Sequence, residues 1–417
     1  MMNKLLYISL MGISLLPHTL LADGQVSSEP TDRALTPAET AAQETSTHVS
    51  AQQPEKASAS SAQEGQLTIS TDNHYYNWKG DNGRHGWQYV MPWNVSYQYG
   101  AFNAGLRNAY IYSQNNSPDE KGTAKGFSDT SVSFAYTAFQ QKSFPVRFNL
   151  SMNIPTGKDS LAGDEKNAIM DGNLVWQTRL GEGFNITPAI NIAHSFTNKD
   201  TVGLGVSRIF RGEFDPNRDV DNDVLHPGDD TIVTLQYSHT DQRYQVQTGL
   251  SYQHSGITKR DRAPYYQKGD LWTADISGQF AVTPNQTVYG GYSYSYRKKD
   301  KYINNFTGNL EIEEFNSNGK IHWLNAGYSV AFKQRHSVGV VADYLKITSN
   351  GYDQINALYL PARTKVGFGM NYNYRISPNA SLSLSAKRFL MKDKETPNLG
   401  EQHYRGWNLF GSLKYQF

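Results

Sequence analysis

The chain has 417 residues and a formal net charge of +1 at neutral pH, so its charge indicates neither a nucleic-acid partner nor an acidic one. Its mean hydropathy is −0.61, and no apolar run reaches the roughly 18 residues that a transmembrane helix requires. Cys is absent, which excludes disulfide bonds and cysteine-bound metals. Aromatic residues are frequent, led by 27 Tyr, and most of them fall in segments of alternating hydrophobicity.

The first residues predict a secretory signal peptide. Lys4 precedes the apolar run "LLYISLMGISLL", which is too short to cross a membrane, and "PHTLLA" offers a cleavage point after Ala22. Residues 23–64 are rich in Ala, Ser, Thr, Gln, Glu and Pro, and hold too few large apolar side chains to offset the entropy of folding. We therefore expect residues 1–22 to be removed and 23–64 to form a disordered tail, unless the tail folds back into the main domain at 65–417.

From Gln66 onward, apolar and polar residues alternate in repeated segments, which is typical of β-strands. Examples are "WQYVMPWNVSYQY", "FPVRFNLSMNI", "KVGFGMNYNYRI" and the final "GWNLFGSLKYQF". One face of each segment is apolar and rich in Tyr, and the other carries Ser, Asn, Gln, Gly and Thr. Pro92 and Pro188 fall inside such segments, where each removes a ladder hydrogen bond, which a bulge at each position could accommodate.

The links between these segments alternate in length. Long polar links, such as "NNSPDEKGTAKG" and "TGKDSLAGDEKNA", separate seven short ones: "GAFNAG", "QQKS", "GEG", "TDQR", "TPNQ", "KQRH" and "SPNA". Seven hairpins with a first and a last strand make 16 strands, with 14 as an alternative, and 18 if "TVGLGVSRIF" adds a hairpin within 195–230. Short turns on one side and long loops on the other predict a transmembrane antiparallel β-barrel with periplasmic turns and extracellular loops. A soluble β-sandwich or propeller would explain the alternation but not this asymmetry.

Two stretches resemble known proteins. The closing "LKYQF" resembles the last strand of Gram-negative outer-membrane proteins, which implies that the barrel-assembly machinery reads the end at Phe417. The stretch "FNLSMNIPTGKDS" is similar to the outer-membrane transporters grouped as the MetA-pathway phenol-degradation family, because an apolar strand runs into Pro155-Thr156-Gly157 and an acidic loop. This second resemblance implies passage of small compounds, aromatic ones among them.

A barrel of this size is wide enough for an aqueous channel, so charges on its lumen face would set selectivity. We expect a loop folded into the lumen to narrow it, with 195–230 as the first candidate and 158–170 as the second. Inward cations near the short turns outnumber inward acids, which predicts a slight anion preference unless turn carboxylates pair with them. The cations are Arg107, Arg147, Arg179, Arg375 and Lys414, and the acids are Asp129, Asp275 and Asp343.

One acidic stretch raises the question of a metal site. In "DPNRDVDNDVLHPGDD", Asp219, Asp221 and Asp223 alternate, and hard oxygen ligands at this spacing suit Ca²⁺. Val224 stands where an EF-hand loop needs Gly, so a solvated acidic loop is the alternative interpretation. No motif predicts a cofactor.

Catalysis is not predicted, because no motif in the sequence places a nucleophile in contact with a histidine side chain. The histidines on or near the predicted strands are His74, His239, His254 and His322.

These features together predict an outer-membrane channel, not an enzyme, for passive or facilitated diffusion of small solutes. Its expected partners are the lipid bilayer and lipopolysaccharide, which the basic loops "ITKRDRAP" and "RKKDK" could contact, and a homo-oligomer is an open alternative. Three other classes remain open: a barrel enzyme of the lipase or protease type, a surface-binding or adhesive barrel with a filled lumen, and a channel of an export system whose partner docks on 23–64.

Overall fold

The computed structural model describes residues 65–417 except 82, 119, 141–143, 177–178, 221–222, 305 and 398. The predicted signal peptide (1–22) and tail (23–64) lie outside the described residues. No helix among the described residues is long and apolar enough to cross a membrane.

The fold is a closed, all-antiparallel β-barrel of 16 strand positions, which confirms the predicted fold class. The first and last strands pair along their whole length, from Thr68 opposite Gln416 to Gly80 opposite Tyr404, so the sheet has no free edge. In chain order the strands are β1 (Gln66–Gly80), β2 (His85–Tyr99), β3 (Phe102–Asn116), β4 (Lys121–Phe127), β5 (Thr130–Ala138), β6 (Val146–Ile154), β7 (Asn185–Ser195), β8 (Asp200–Arg211), β9 (Leu225–His226), β10 (Asp230–Thr240), β11 (Tyr244–Ser255), β12 (Ile257–Arg260), β13 (Ala263–Gln267), β14 (Leu271–Thr283), β15 (Gln286–Arg297), β16 (Lys301–Ile303), β17 (Leu310–Ile312), β18 (Ile321–Phe332), β19 (His336–Ile347), β20 (Arg363–Ser377), β21 (Ala380–Asp393) and β22 (Gln402–Gln416).

Two short strands share one position in the wall. β4 pairs with the half of β3 nearer the long loops, which we call the outer half. β5 pairs with the half nearer the short turns, which we call the inner half. The β-strand conformation is interrupted between them, at Ser128 and Asp129, while the chain itself continues. Five further strands, β9, β12, β13, β16 and β17, form a small sheet in the loops and are not part of the barrel.

The predicted number of strands is confirmed, but one predicted turn is wrong. "GEG" at 181–183 is not a hairpin turn, because it belongs to the long connection between β6 and β7. The turn lies instead at 196–199, after which β8 crosses the barrel. The hairpin predicted within 195–230 does not form, because "TVGLGVSRIF" belongs to a single strand, β8, which pairs with β7 and β10 and is one of the sixteen positions.

The two faces of the wall are those that the alternation predicts. On the last strand, Leu409, Leu413 and Tyr415 point outward and are 42–47% exposed. The positions between them point into the barrel, as the contacts of Phe410 with the inward His74 show. An apolar outer face of this kind is what a barrel presents to lipid, because every backbone group is paired within the closed sheet.

Bulges do not form at the two prolines. At Pro92 the β1–β2 register is the same on both sides, since Thr71 faces Trp93 and His74 faces Val90. The ladder merely skips the pairs between them, and the β7–β8 ladder skips Pro188 in the same way.

Candidate functional site in the barrel lumen

Residues 155–184, which we call the lumen segment, connect β6 to β7 and fold into the barrel. A 3₁₀ helix at Gly163–Ala168 lies against β4. Apolar side chains of the segment are buried against inward side chains of the wall in two clusters. The first joins Met170, Leu174 and Val175 to Trp78, Phe389 and Met391, and the second joins Ala168 and Leu180 to Val90, Ala109, Ile111 and Ala124. The first candidate for an infolded loop, 195–230, is therefore wrong, and the second, 158–170, is part of the true one.

Asp129 holds both ends of the lumen segment at the break between β4 and β5. One of its carboxylate oxygens accepts a hydrogen bond from the amide of Gly157 (3.0 Å), and the other accepts one from the amide of Glu182 (2.8 Å). The Asn153 side chain donates a third (2.7 Å). Asp129 therefore acts as an anchor for the segment and not as a charge exposed to the lumen.

The backbone at Gly157 explains the "PTG" motif. A Cβ at this position would lie 2.5 Å from the backbone of Ser128 and Asp129, a distance that no side chain tolerates. The adjacent Thr156 hydroxyl bonds to that of Thr130 (2.7 Å). The motif thus lets the chain turn off β6 and pass closely over the strand break into the lumen.

The middle of the lumen segment is fixed to the wall at β20 and β21, on the far side of the β1–β22 junction from β3 and β4. Two cations on β20 make the contacts. Arg363, which is 2% exposed, bonds to Asp171 of the segment and forms a bidentate pair with Asp393 on β21. Lys365 donates to the carbonyl of Asn173 and lies over the Phe389 ring. The bidentate pair with Asp393 is strong and directional and fixes the guanidinium on the wall. Its remaining nitrogen then holds Asp171 and so positions the segment.

Outer-loop charges cover the lumen segment. Glu165 accepts from Lys158 and from Arg218 (3.0 Å), and Asp219 pairs with Lys166 (2.7 Å) and accepts from the amide of Gly163. The hydrogen bond from Lys166 keeps the pKa of Asp219 below its usual value. These pairs tie the segment to the loop after β8.

The residues of the predicted Ca²⁺ site have different surroundings. Asp219 binds Lys166, whereas Asp223 forms a bidentate pair with Arg260 (2.6 and 2.9 Å). Asp221 lies outside the described residues. The part of the chain that the structure describes holds no group of three acidic or histidine side chains suited to a metal ion. The Ca²⁺ site stays a prediction, and the structure gives both described carboxylates protein partners.

An aromatic cluster faces the lumen beside the segment. The His74 ring lies 4.4 Å from that of Trp176 and 4.9 Å from that of Phe410, measured between centroids. Tyr76 stacks on the other side of His74, and the Arg107 guanidinium lies 5.5 Å from the Trp176 ring. These half-buried groups offer flat apolar surfaces next to a cation.

The predicted lumen charges have three kinds of surroundings. Arg375 and Lys414 point inward near the short turns, and Asp275 points inward on β14. Arg107 meets Trp176, and Arg147 donates to Asn149. Asp343 pairs with Lys387 (2.8 Å) across β20, where Gly367 leaves room for its carboxylate.

One of these predicted placements is wrong, and one inward acid was missed. Arg179 is not on a strand near a short turn, but on the lumen segment, 5.8 Å from the Phe214 ring. Asp72 lies on the inward face of β1, two residues before His74. Its position in the alternation could have identified it from the sequence.

The four strand histidines bond to tyrosines or carboxylates. His74 faces Tyr76, and His322 faces Tyr292. His239 bonds to Asp200 (2.7 Å), and His254 bonds to Asp270 (2.8 Å) at the outer rim. Among the described residues, no serine or threonine hydroxyl lies within hydrogen-bond distance of these four rings. The outer rim therefore holds an acid–histidine pair of the kind a barrel enzyme would need, but no such hydroxyl nucleophile beside it.

The buried carboxyl of Glu182 should make the lumen segment sensitive to pH. Burial, with the nearby Asp129 charge, outweighs Arg211 at 3.9 Å and raises the pKa of Glu182 to about 7. A raised carboxyl pKa contributes stability below the ordinary value of 4.5, and that contribution is lost as pH rises through about 7. We expect limited proteolysis within 155–184 to be faster at pH 8 than at pH 5. The Glu182→Gln variant should lose this difference, whereas Glu120→Gln, in an exposed loop, should keep it; equal pH dependence in both variants would contradict the assignment.

The closed barrel, its apolar outer face and its infolded segment define the class of protein as an outer-membrane β-barrel of the Gram-negative type. The family model described as "Putative MetA-pathway of phenol degradation" matches residues 51–298. This is more than half of the chain, and the chain belongs to that family. The resemblance carried by the "PTG" stretch is thereby confirmed.

Several solved structures resemble the chain as well. No curated protein matches the chain. OpdQ of Pseudomonas aeruginosa is 11% identical, covers 85% of this chain and 100% of its own, and gives a TM-score of 0.41. The anion-selective porin from Comamonas acidovorans is 10% identical over 85% and 100%, with a TM-score of 0.38. The TodX monoaromatic hydrocarbon channel (deltaS2 mutant) is 8% identical over 86% and 91%, with a TM-score of 0.40. Similarity at this level carries no argument about what passes through this barrel.

Proposed function

We propose that this protein is an outer-membrane channel for the diffusion of small solutes, with a slight preference for anions. The observation that supports it most is the one-sided position of the lumen segment. Its apolar clusters and its links to Asp129, Arg363 and Lys365 lie against β1–β5 and β20–β21. On the opposite wall, inward side chains such as Gln247, Ser251, Asp275, Gln279 and Asn325 are polar and half-buried, which suits a water-filled passage. Near the long loops of the same wall, Leu271, Ile321, Leu345 and Ile347 form an inward apolar cluster.

The balance of lumen charge supports the anion preference. Asp129 and Asp343 are engaged by protein donors. Of the other two inward acids, Asp72 lies on the inner half of β1, whereas Asp275 lies nearer the long-loop end of β14. Four inward cations face them, Arg107, Arg147, Arg375 and Lys414. A low-dielectric wall focuses the field of such an excess and raises the local concentration of anions.

The family and the aromatic cluster together favour aromatic solutes. The family description names phenol degradation, and His74, Trp176 and Phe410 offer ring surfaces beside Arg107. An aromatic carboxylate would place its ring on these surfaces and its charge near the guanidinium. Such solutes are therefore the class we would test first.

Ion selectivity tests the proposal. In a planar bilayer with a KCl gradient, the wild-type protein should give steady conductance and a reversal potential on the anion side. The Arg375→Gln/Lys414→Gln double variant should lower the anion-to-cation permeability ratio by roughly twofold, because it removes two lumen cations. Lys346→Gln removes a lipid-facing cation and should leave the ratio unchanged.

Two outcomes would contradict the proposal. Cation preference in the wild type would overturn the charge argument while leaving a pore. No conductance, both in the full chain and after deletion of residues 23–64, would overturn the channel and favour an adhesive barrel or an enzyme.

A further inference from the structure

Three cations form a patch on the lipid-facing side of the barrel, where the first and last strands meet. Lys79 on β1 and Arg405 on β22 lie directly opposite each other, and both are exposed. They belong to the outward set of positions, like Trp407 and Leu409. Arg388 on β21 is also exposed and lies 5.4 Å from the centre of the Trp407 ring. We call Lys79, Arg388 and Arg405 the seam patch.

The acids next to the seam patch in the described part of the sequence, Asp81 and Glu401, bind His403 and Lys392 and not the cations of the patch. Among the described residues, none of its three cations forms an ion pair with a carboxylate. Like charges directly opposite each other on paired strands destabilise the sheet, and an unpaired cation facing lipid adds a further cost. An anion from outside the chain would remove both costs.

The position of the patch along the barrel axis indicates the source of that anion. Lys79 and Arg405 lie near the strand ends that carry the long loops, whereas Gln66 at the start of β1 and Gln416 at the end of β22 lie at the other end. Outward charged side chains on this half of the described barrel strands are cationic; the acidic Asp200 lies at the opposite end. The outer half of the wall contacts the outer leaflet, whose lipopolysaccharide carries phosphate groups at this depth.

Exposed apolar side chains lie beside the patch, and one of them, Met370, lies closer to the middle of the membrane. Phe368, paired with Arg388, is 65% exposed, and Met370 is 60% exposed. Leu390, paired with Arg405, is 58% exposed. A ligand on this surface would therefore meet cations at one end and a broad hydrocarbon surface beside them.

We propose that the seam patch binds the phosphate groups of one lipopolysaccharide molecule of the outer leaflet. Lys79, Arg388 and Arg405 donate to the phosphate oxygens, since charge-assisted bonds to phosphate are strong and Arg offers a paired donor geometry. Phe368, Met370 and Leu390 contact the acyl chains. The site lies on the outside of the wall and is independent of the proposed passage through the lumen.

Lipid binding by the refolded full chain tests this site. Native mass spectrometry from detergent would measure occupancy by bisphosphorylated lipopolysaccharide and by the same lipid after dephosphorylation. We expect Lys79→Gln/Arg405→Gln to weaken binding of the phosphorylated lipid about tenfold or more, the scale of one to two lost charge-assisted contacts. Dephosphorylation should weaken wild-type binding by a similar factor and leave binding to the double variant almost unchanged.

Matched variants keep the result interpretable. Arg208→Gln removes another outward cation of the same band, but one already paired with Asp229 (3.2 Å), and should bind like the wild type. If the double variant does not fold, as judged by heat-modifiable migration on gels, the single variant Arg388→Gln replaces it in the lipid-binding measurement. Equal binding by the wild type and the folded variants, or equal binding of both lipids, would overturn the proposal. Displacement of the lipid by millimolar inorganic phosphate would overturn the lipid assignment in favour of a simple anion site.

Discussion

Replacing Asp129 with Ala is expected to free both ends of the lumen segment at once. The amides of Gly157 and Glu182 and the Asn153 amide group would lose their acceptor. Each unsatisfied buried donor costs about 1–3 kcal/mol, so the segment should lose several kcal/mol of its attachment to the wall. In planar bilayers the variant should show larger mean conductance and frequent transitions between levels, where the wild type is steady.

A graded pair of variants separates anchoring from charge. Asp129→Asn removes the charge but keeps one carbonyl oxygen as an acceptor, so its conductance should fall between wild type and Asp129→Ala. An effect of Asn as large as that of Ala would mean that charge, and not acceptor geometry, holds the segment. Wild-type conductance and noise in both variants would contradict the anchor.

Replacing Arg363 with Met is expected to have the largest effect on stability. The change leaves Asp171 and Asp393 buried beside each other without their cation. Removing one partner of a buried ion pair typically costs about 3–5 kcal/mol, because the remaining charge is left without compensation. The free energy of unfolding, measured by urea titration in liposomes, should fall by that amount.

The control for this variant lies on the same strand and the same face. Arg375 points into the lumen near the short turns and is exposed. Arg375→Met should therefore change the free energy of unfolding by less than about 0.5 kcal/mol. If Arg363→Met lowers the free energy of unfolding no more than Arg375→Met does, the ion pair between Arg363 and Asp171 does not stabilise the protein as proposed. If adding Asp393→Asn restores part of the loss, the uncompensated carboxylates are its cause.

The strands of the barrel wall and their lipid-facing sides could be predicted from the sequence, because they depend on the alternation of neighbouring residues. A period of two assigns every other residue to lipid, so Leu409, Leu413 and Tyr415 identify the outer face of β22 without knowledge of its neighbours. The turn at 196–199 was missed for a local reason too. Its sequence "FTNK" lacks the Gly or Pro that usually indicates a turn, whereas "GEG" contains two Gly and connects no hairpin.

The lumen segment could not be predicted in the same way, because contacts between distant parts of the chain fix it. Asp171 and Arg363 are 192 positions apart. The sequence nevertheless carries a sign of its path. Large apolar residues at inward positions, such as Val90, Ile111, Phe389 and Met391, break the polar pattern of the lumen face, and all four pack against the segment. Inward apolar residues do not all mark this path, because Leu271, Ile321, Leu345 and Ile347 are inward exceptions too and pack with one another in a separate cluster.

The pairing of β1 with β22 also restricts the order in which this molecule can be assembled. The seam joins residues as far apart as Asn77 and Trp407, which are 330 positions apart, and the amide of Phe417 donates to the carbonyl of Leu67. No circular wall exists until the last residues have been synthesised, so folding cannot proceed to completion from the amino terminus while the chain emerges. Once the seam has formed, the lumen segment can enter the cylinder only through an open end, because the closed wall has no lateral opening.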